Sequence, residues 1–492
     1  MSPGVLLLCL CSAAQDRPAL SDAIDLHVPR ISGYNAREEA GLVEDGEFLR
    51  RVMLDLAGAP PSLDDVRAFM ANADPGKRAA RVDALLASPR FADLWSRRLA
   101  DVLLGNRHDA PGGASFTTWL RGRLEDHATW TAIIRELIEA EGTLAQVPSL
   151  AWKVAWAREK DEGAAFATAL SRQLFGINLF CARCHDHAFD KWRVDDFHEL
   201  AAFTRSRSVR KTPGGAVVEE GPFDPEAHVY DPWARQGWGK TQKIGPRLFG
   251  ADAPAPGQKL SLALADGVLK LDYVDRAFIN RVWSWLMGRG LVHPVEEWDL
   301  RNKSLSPALH RALELDYRMH ARSLRSLIKA ICLSNAYQRR SDGPGEVRKI
   351  NFGHGVIRPL SAEQLSASVE VATRGAALAD TEESYRISRL LWGRPGAETE
   401  ITPLAPDARV VEWLREGREP RELLRKSPVL RRIGRGLEPL QERIEILFLA
   451  FLSRRPDADE AARFAAFLAG AAPDWEGAAW ALLNSTEFMT RH

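Results

Sequence analysis

The chain is 492 residues long, enough for two or three domains with substantial cores. Its 66 basic and 66 acidic residues cancel, so no overall field steers it to nucleic acid or to an anionic membrane. Fifteen tryptophans against six tyrosines point to large core anchors in a helical protein.

Residues 1–14 read first. Gly4 to Leu10 is a short apolar run followed by small residues, with Ser12 and Ala14 where a signal peptidase requires them. A secretory signal peptide cut before Gln15 is expected, which implies an exported, periplasmic or cell-surface protein. No Lys or Arg precedes the run, so the true start is expected upstream of Met1. Cys9 and Cys11 are poorly flanked as lipid anchors. No later stretch reaches about 18 uninterrupted apolar residues, so no membrane span is expected after the signal.

Helical signals dominate residues 28–205, the expected N-terminal domain. Pro61-Ser62-Leu63-Asp64-Asp65 carries a cap and an acidic first turn, and Ser88-Pro89 sets Ser at an N-cap with Pro in the first helical position. Phe166, Leu170, Leu174 and Ile177 recur at helical spacing. They deliver the chain into Cys181-Ala182-Arg183-Cys184-His185.

That segment is the most informative in the chain, because two thiols three residues apart followed by an imidazole form the attachment pattern of a c-type haem. Cys181 and Cys184 lie about one turn apart, so both sulfurs reach the two vinyl groups on one porphyrin edge, and His185 then rises under the iron as proximal ligand. Two other readings stand beside it. The pair can be a structural disulfide or redox dithiol, or His185, His187, Asp190 and His198 can gather round a divalent metal ion. His187 is too close in sequence to His185 to reach the opposite face of a haem. Asp195 and Asp196 read as the capped, dipole-favoured start of a helix before they read as ligands. Candidates for a sixth iron ligand are Met287, Met319, His293, His320 and His354. Arg281 and Arg289 could neutralise haem propionates or form helix-end salt bridges.

Residues 206–259 change character. Pro213-Gly214-Gly215 before Ala216-Val217-Val218-Glu219 predicts a short β-hairpin, and frequent Pro and Gly thereafter predict an irregular linker or lid. Helical patterning resumes in residues 260–492, the expected C-terminal domain. Cys332, inside an apolar run, reads as a buried small hydrophobe, and the basic stretch Arg425 to Arg435 as a solvated helix face. A repeat links the ends of the chain. Leu56 to Phe69 parallels Phe451 to Phe464, Ala84 to Phe91 parallels Ala481 to Phe488, and Ala330 to Tyr337 echoes the last part. The repeated elements hold no titratable constellation and read as scaffold. The expected fold is mainly α, multi-helical, with N- and C-terminal helical repeats and a short irregular or β-hairpin insertion.

Longer motifs add a resemblance. Leu54-Asp55-Leu56-Ala57-Gly58-Ala59-Pro60-Pro61, Leu85 to Phe91 and Gly176 to Asp190 are similar to the domain-of-unknown-function family 1549. Phe278 to Trp283, Gly288 to Val292, Arg358 to Leu365 and Ala481 to Phe488 are similar to family 1553. The two are paired in planctomycete surface proteins and often occur beside cytochrome c modules. The resemblance covers most of residues 40 to 492 and is specific for family and weak for function. The family usually reads Cys-x-x-Cys-His-Asp-His-Pro; here Ala188 replaces the proline, which loosens the turn after His187. Relatives often carry a separate cytochrome c or carbohydrate-binding-like domain for which these residues have no room, so redox chemistry is expected between Cys181 and His198.

Three functions follow as expectations. The first is an exported haem c protein, an electron carrier or a haem oxidoreductase, with a redox partner or small molecule that the sequence does not name. The second is a divalent-metal-dependent hydrolase built on the His and Asp cluster. The third is a non-catalytic surface scaffold with Cys181 and Cys184 joined. The chain has no Gly-rich phosphate loop, no Gly-x-Ser-x-Gly and no His-Glu-x-x-His, which leaves nucleotide, serine-hydrolase and zincin chemistry without support.

Overall fold

The computed structural model describes residues 20–105, 110–157, 163–212, 215–226, 228, 243–341, 351–376, 408–470 and 472–492. The expected signal peptide, with Cys9 and Cys11, lies outside the described residues. The fold is mainly α: helices carry the architecture, and β structure among the described residues is confined to a three-stranded and a two-stranded antiparallel sheet.

Local signals in the sequence explain where the helices begin. Ser62 Oγ accepts from the Asp65 amide at 3.1 Å and the Asp65 carboxylate accepts from the Ser62 amide at 3.2 Å, which starts the helix Leu63–Ala71. Ser88 Oγ accepts from the Phe91 amide to start Pro89–Leu104, with Pro89 at the first position. Each such cap contributes about 1 kcal/mol. Trp95, Trp152 and Trp283 are fully buried, in the anchoring role expected of the tryptophans.

The terminal repeats have matching local structure. Helices Asp45–Ala57 and Leu440–Leu452 both end on a left-handed residue, Gly58 at φ 72° and Ser453 at φ 60°. The next helices, Leu63–Ala71 and Ala458–Phe467, both open with a capping box, the second built from Asp457 and Glu460. Ser334 and Ser485 each cap a one-turn helix, Asn335–Gln338 and Thr486–Met489. The two copies also touch: a Cβ on Gly46 would lie 2.0 Å from the Ser453 carbonyl oxygen, so only glycine lets the copies approach this closely.

Residues on both sides of the 206–259 segment share one hydrophobic core. Helix Leu20–His27 packs on Pro307–Met319 and Leu324–Leu333. At the centre of the junction the Asp55 carboxylate, 1% exposed, accepts from Arg491 (2.8 Å), Arg358 (2.9 Å) and the Tyr337 hydroxyl (2.7 Å). Burial alone would raise the Asp55 carboxyl; the surrounding Arg491, Arg358 and Arg98 hold it below the usual carboxylate range. Arg51, also buried, donates to the carbonyls of Tyr337, Arg339 and His492. Strand Thr490–Arg491 pairs antiparallel with Arg358–Pro359, closing the ring of contacts.

The expected hairpin forms from Arg207–Thr212 and Gly215–Glu220, with turn residues 213–214 outside the described set. It is longer than its sequence signal and gains a third strand, Gly142–Thr143, through Gly142↔Val218 and Thr143↔Val217. Further on, Phe249 packs against Phe175, Trp192 and Tyr273. This part of the segment supports the Cys181 region from below.

Candidate functional site

Helix Ala164–Phe175 ends at Gly176, whose φ of 65° turns the chain away from the helix axis. A short 3-10 turn, Phe180–Arg183, then carries Cys181, with Ala182 fully buried beneath it as the anchor. Cys181, Arg183, Cys184 and His185 are exposed, and both thiols are free. The weak bond from the Cys184 amide to the Cys181 carbonyl, 3.5 Å, sets the two residues one turn apart, as their spacing implies.

The imidazoles are held in opposite tautomers. His185 Nδ1 lies 2.7 Å from the Asp186 carbonyl oxygen. A carbonyl only accepts, so Nδ1 carries the proton and Nε2 keeps its lone pair, the arrangement that second-shell bonds give a metal-ligating histidine. His187 Nδ1 instead accepts from the Phe189 amide at 3.3 Å, which puts the proton on Nε2. The His187 amide donates to the Trp192 carbonyl at 2.8 Å and closes the turn that Ala188, exposed, leaves without a proline.

The other expected ligands serve the backbone. Asp190 Oδ1 accepts from the Lys191 amide and Asp186 Oδ1 from the Val194 amide. Asp196 Oδ2 accepts from the Arg193 amide at 2.8 Å at the start of helix Val194–Ala202, the capping role read from the sequence. His198, buried on that helix, donates from Nε2 to the Arg183 carbonyl at 3.0 Å and pins the motif turn; burial lowers its pKa. Among the described residues no group of three or more His, Cys, Asp and Glu side chains could hold a metal ion. His185, His187, Asp190 and His198 are therefore neighbours in the chain that the fold does not converge on one point.

Residues of the C-terminal half complete the support. Arg281, 5% exposed, donates to the carbonyls of Gln173 (2.9 Å) and Arg172 (3.4 Å) at the end of helix Ala164–Phe175 and pairs with Glu296 (3.4 Å). This is the helix-end role of the two expected for it, and it leaves Arg281 committed away from any propionate. The Trp298 amide donates to the Gly176 carbonyl, and the Arg301 guanidinium sits 3.9 Å over the Phe189 ring. Lys191 Nζ donates to the Tyr273 hydroxyl at 3.0 Å.

Exposed apolar side chains flank the motif in the chain. Phe180, Phe189 and Leu300 are 56%, 53% and 64% exposed, all within or beside this region. Beneath them Trp192 is buried with its indole N–H unpartnered. Of the residues considered as sixth ligands, Met287 is in the core, Met319 is exposed, and His320 is held by Asp316 on its own helix. His293 and His354 are half-buried. Arg289 is half-buried too, and burial lowers its pKa. Cys332 is fully buried, and burial pushes its thiol well up, so it is inert as expected. A separate cleft of about 430 Å³, lined by Arg67, Met70, Ile446 and Leu449, opens between the two terminal repeats and uses none of the motif residues.

Two family models match the chain. Residues 23–208 match PSCyt2, a protein of unknown function (DUF1549), and residues 262–389 match PSD1, a protein of unknown function (DUF1553). The chain carries the DUF1549 and DUF1553 pair. No curated protein and no solved structure matches it. In these terms the Cys181 motif belongs to the DUF1549 part, whereas Arg281, Trp298 and Arg301 belong to the DUF1553 part. Sequence reading missed Trp298, Tyr273 and Arg301 as supports of the motif, because their partners are distant in the chain and their residue types carry no spacing signal.

The donor set fits a covalently held haem. Two free thiols stand one turn apart, an exposed imidazole keeps its Nε2 lone pair, and the exposed Phe180 and Phe189 flank them in the sequence.

Proposed function

We propose that the protein is an exported c-type haem protein in which Cys181 and Cys184 form the thioether links and His185 is the proximal ligand. The observation that carries this reading is the exposed Cys-x-x-Cys-His turn with free thiols and a His185 imidazole oriented through Nδ1 by the Asp186 carbonyl. When bound, haem would supply one-electron transfer, or small-molecule chemistry if its far face stays open. The chain's own contributions are definite. Asp186 and His198 hold the turn, Phe180 and Phe189 offer apolar surface, and Arg281 with Trp298 fixes the helix end from which the turn departs. The short name of the DUF1549 family, PSCyt2, points the same way.

The test is expression of the full chain with an export signal and an intact haem-attachment system. A mass gain of one haem and a sharp reduced α band are expected, both lost in Cys181→Ser/Cys184→Ser. His185→Ala should retain attachment while changing the spectrum. No mass gain under these conditions overturns the reading.

A further inference from the structure

Residues 408–492 lie beyond both family matches, and they contain a stretch with a marked excess of positive charge. Three short helices follow one another there: Ala408–Glu416, Arg418–Arg425 and Pro428–Arg435. Between Arg415 and Arg435 the chain has eight cations, Arg415, Arg418, Arg421, Arg425, Lys426, Arg431, Arg432 and Arg435, against three carboxylates, Glu416, Glu419 and Glu422. All eight cations are exposed. In a chain of zero net charge this is a local excess of five positive charges on one short stretch.

The fold gathers these cations onto one face. The helices Arg418–Arg425 and Pro428–Arg435 both pack on Ala362–Arg374 and on Trp475–Leu483. Their apolar residues, Pro420 and Leu424 in the first and Leu430 and Ile433 in the second, point into that common floor. Ser427, between them, anchors the junction by donating to the Thr373 carbonyl at 2.6 Å. The arginines therefore project from the opposite side of both helices. Among the described residues Lys426 pairs with Glu422 at 3.4 Å, Arg421 donates to the Arg415 carbonyl and Arg431 to the Lys426 carbonyl. Surface pairs of this kind take up little of the charge.

A second observation selects the occupant. Leu437, two residues past the last arginine, is 102% exposed, the most exposed large hydrophobic residue described. Gly436 separates it from the helix end. A soluble polyanion has no use for an isolated aliphatic side chain beside the basic face. A lipid surface has, because it offers anionic headgroups to the arginines and a hydrocarbon boundary to the leucine. Among the described residues no helix is long and apolar enough to cross a membrane.

We propose that the Arg415 to Leu437 face docks the protein on an anionic lipid surface. This is independent of the haem reading. Cosedimentation of the full chain with vesicles tests it, using phosphatidylglycerol with phosphatidylethanolamine against pure phosphatidylcholine. Binding to the anionic vesicles alone, weakened by 0.5 M salt, is expected. Arg431→Gln/Arg432→Gln/Arg435→Gln should lower partitioning by roughly a hundredfold, with an unchanged thermal melt because these side chains are exposed. Arg418→Gln/Arg421→Gln/Arg425→Gln should do the same from the neighbouring helix, and Leu437→Ser should lower binding severalfold without changing its salt dependence. Absence of binding to anionic vesicles overturns the proposal. So does equal binding by the neutralised variants, or capture by dextran sulfate beads with no vesicle binding, which would assign the face to a soluble polyanion.

Discussion

The Asp55 junction and the Cys181 turn are both rich in side chains capable of chemistry, yet they differ in what those side chains do. At the junction Asp55, Arg491, Arg51 and Tyr337 are sealed, Arg358 is half-buried, and their polar groups bond to one another or to backbone carbonyls. At the turn Cys181, Cys184 and His185 are exposed, and the groups that do form bonds, Asp186, Asp196 and His198, hold backbone. A cluster of titratable residues is thus not a site by its density. What separates the two regions is whether the reactive atoms remain after the fold has taken its share.

This contrast can be broken most forcefully at the junction. Asp55→Ala leaves the buried Arg491 and the half-buried Arg358 without their carboxylate and should cost about 3–5 kcal/mol of stability, read as a lowered urea midpoint; an unchanged midpoint would mean the junction charges are dispensable. Next comes His310, which is 4% exposed with its ring tilted against Trp298 at 4.8 Å between centroids. Burial lowers its pKa from 6.5 to about 4. Because the unfolded state then binds the extra proton first, stability is lost as pH falls from about 6.5 towards 4, by up to about 3 kcal/mol. His310→Phe should flatten that part of the pH profile relative to the parent protein, and parallel profiles would show that His310 does not govern it.

Gly176→Ala gives a smaller effect, about 1–2 kcal/mol. At φ 65° its new Cβ would stand 3.1 Å from the Ala277 Cβ, and the cost should appear as a lower melting temperature together with faster alkylation of Cys181 and Cys184. The smallest effect on stability belongs to Phe189→Ser. Its ring is half-exposed under Arg301, so stability should move by less than about 0.5 kcal/mol while haem occupancy falls. A large loss of stability instead would place Phe189 with the core.

Much of the helical scaffold was legible because its signals are local. Ser62, Ser88 and the Asp195-Asp196 pair announce helix starts within three or four residues, and Phe166 to Ile177 shows its buried stripe at 3.6-residue spacing. The repeats were legible as matching strings; that the two copies pack on each other through Gly46 was not, since a glycine inside a helix carries no mark of what approaches it. The hairpin was underestimated because its third strand is two residues long and lies upstream, where Gly142-Thr143 has no strand pattern.

The site itself was legible only in its first layer. The spacing of Cys181, Cys184 and His185 marks the candidate haem motif, whereas the alternative metal set of His185, His187, Asp190 and His198 rests on closeness in sequence, and among the described residues no such group gathers. His198 faces the Arg183 carbonyl, and Arg281, for which a propionate partner and a helix-end salt bridge were both open, takes the helix-end role. The overall charge of zero was equally a poor guide to the surface, since it averaged away the basic face from Arg415 to Arg435.

The bond between Asp55 and Arg491 spans 436 residues, and that distance imposes an order on synthesis. A growing chain makes the Asp55 carboxylate, with Arg50 and Arg51 beside it, and must carry it through 436 further residues of synthesis before Arg491 exists. Contacts of such sequence separation close late. The Cys181 turn, by contrast, draws its innermost bonds from Asp186 and His198, within a few dozen residues, and only its outer supports, Arg281, Trp298 and Arg301, wait for the later part of the chain.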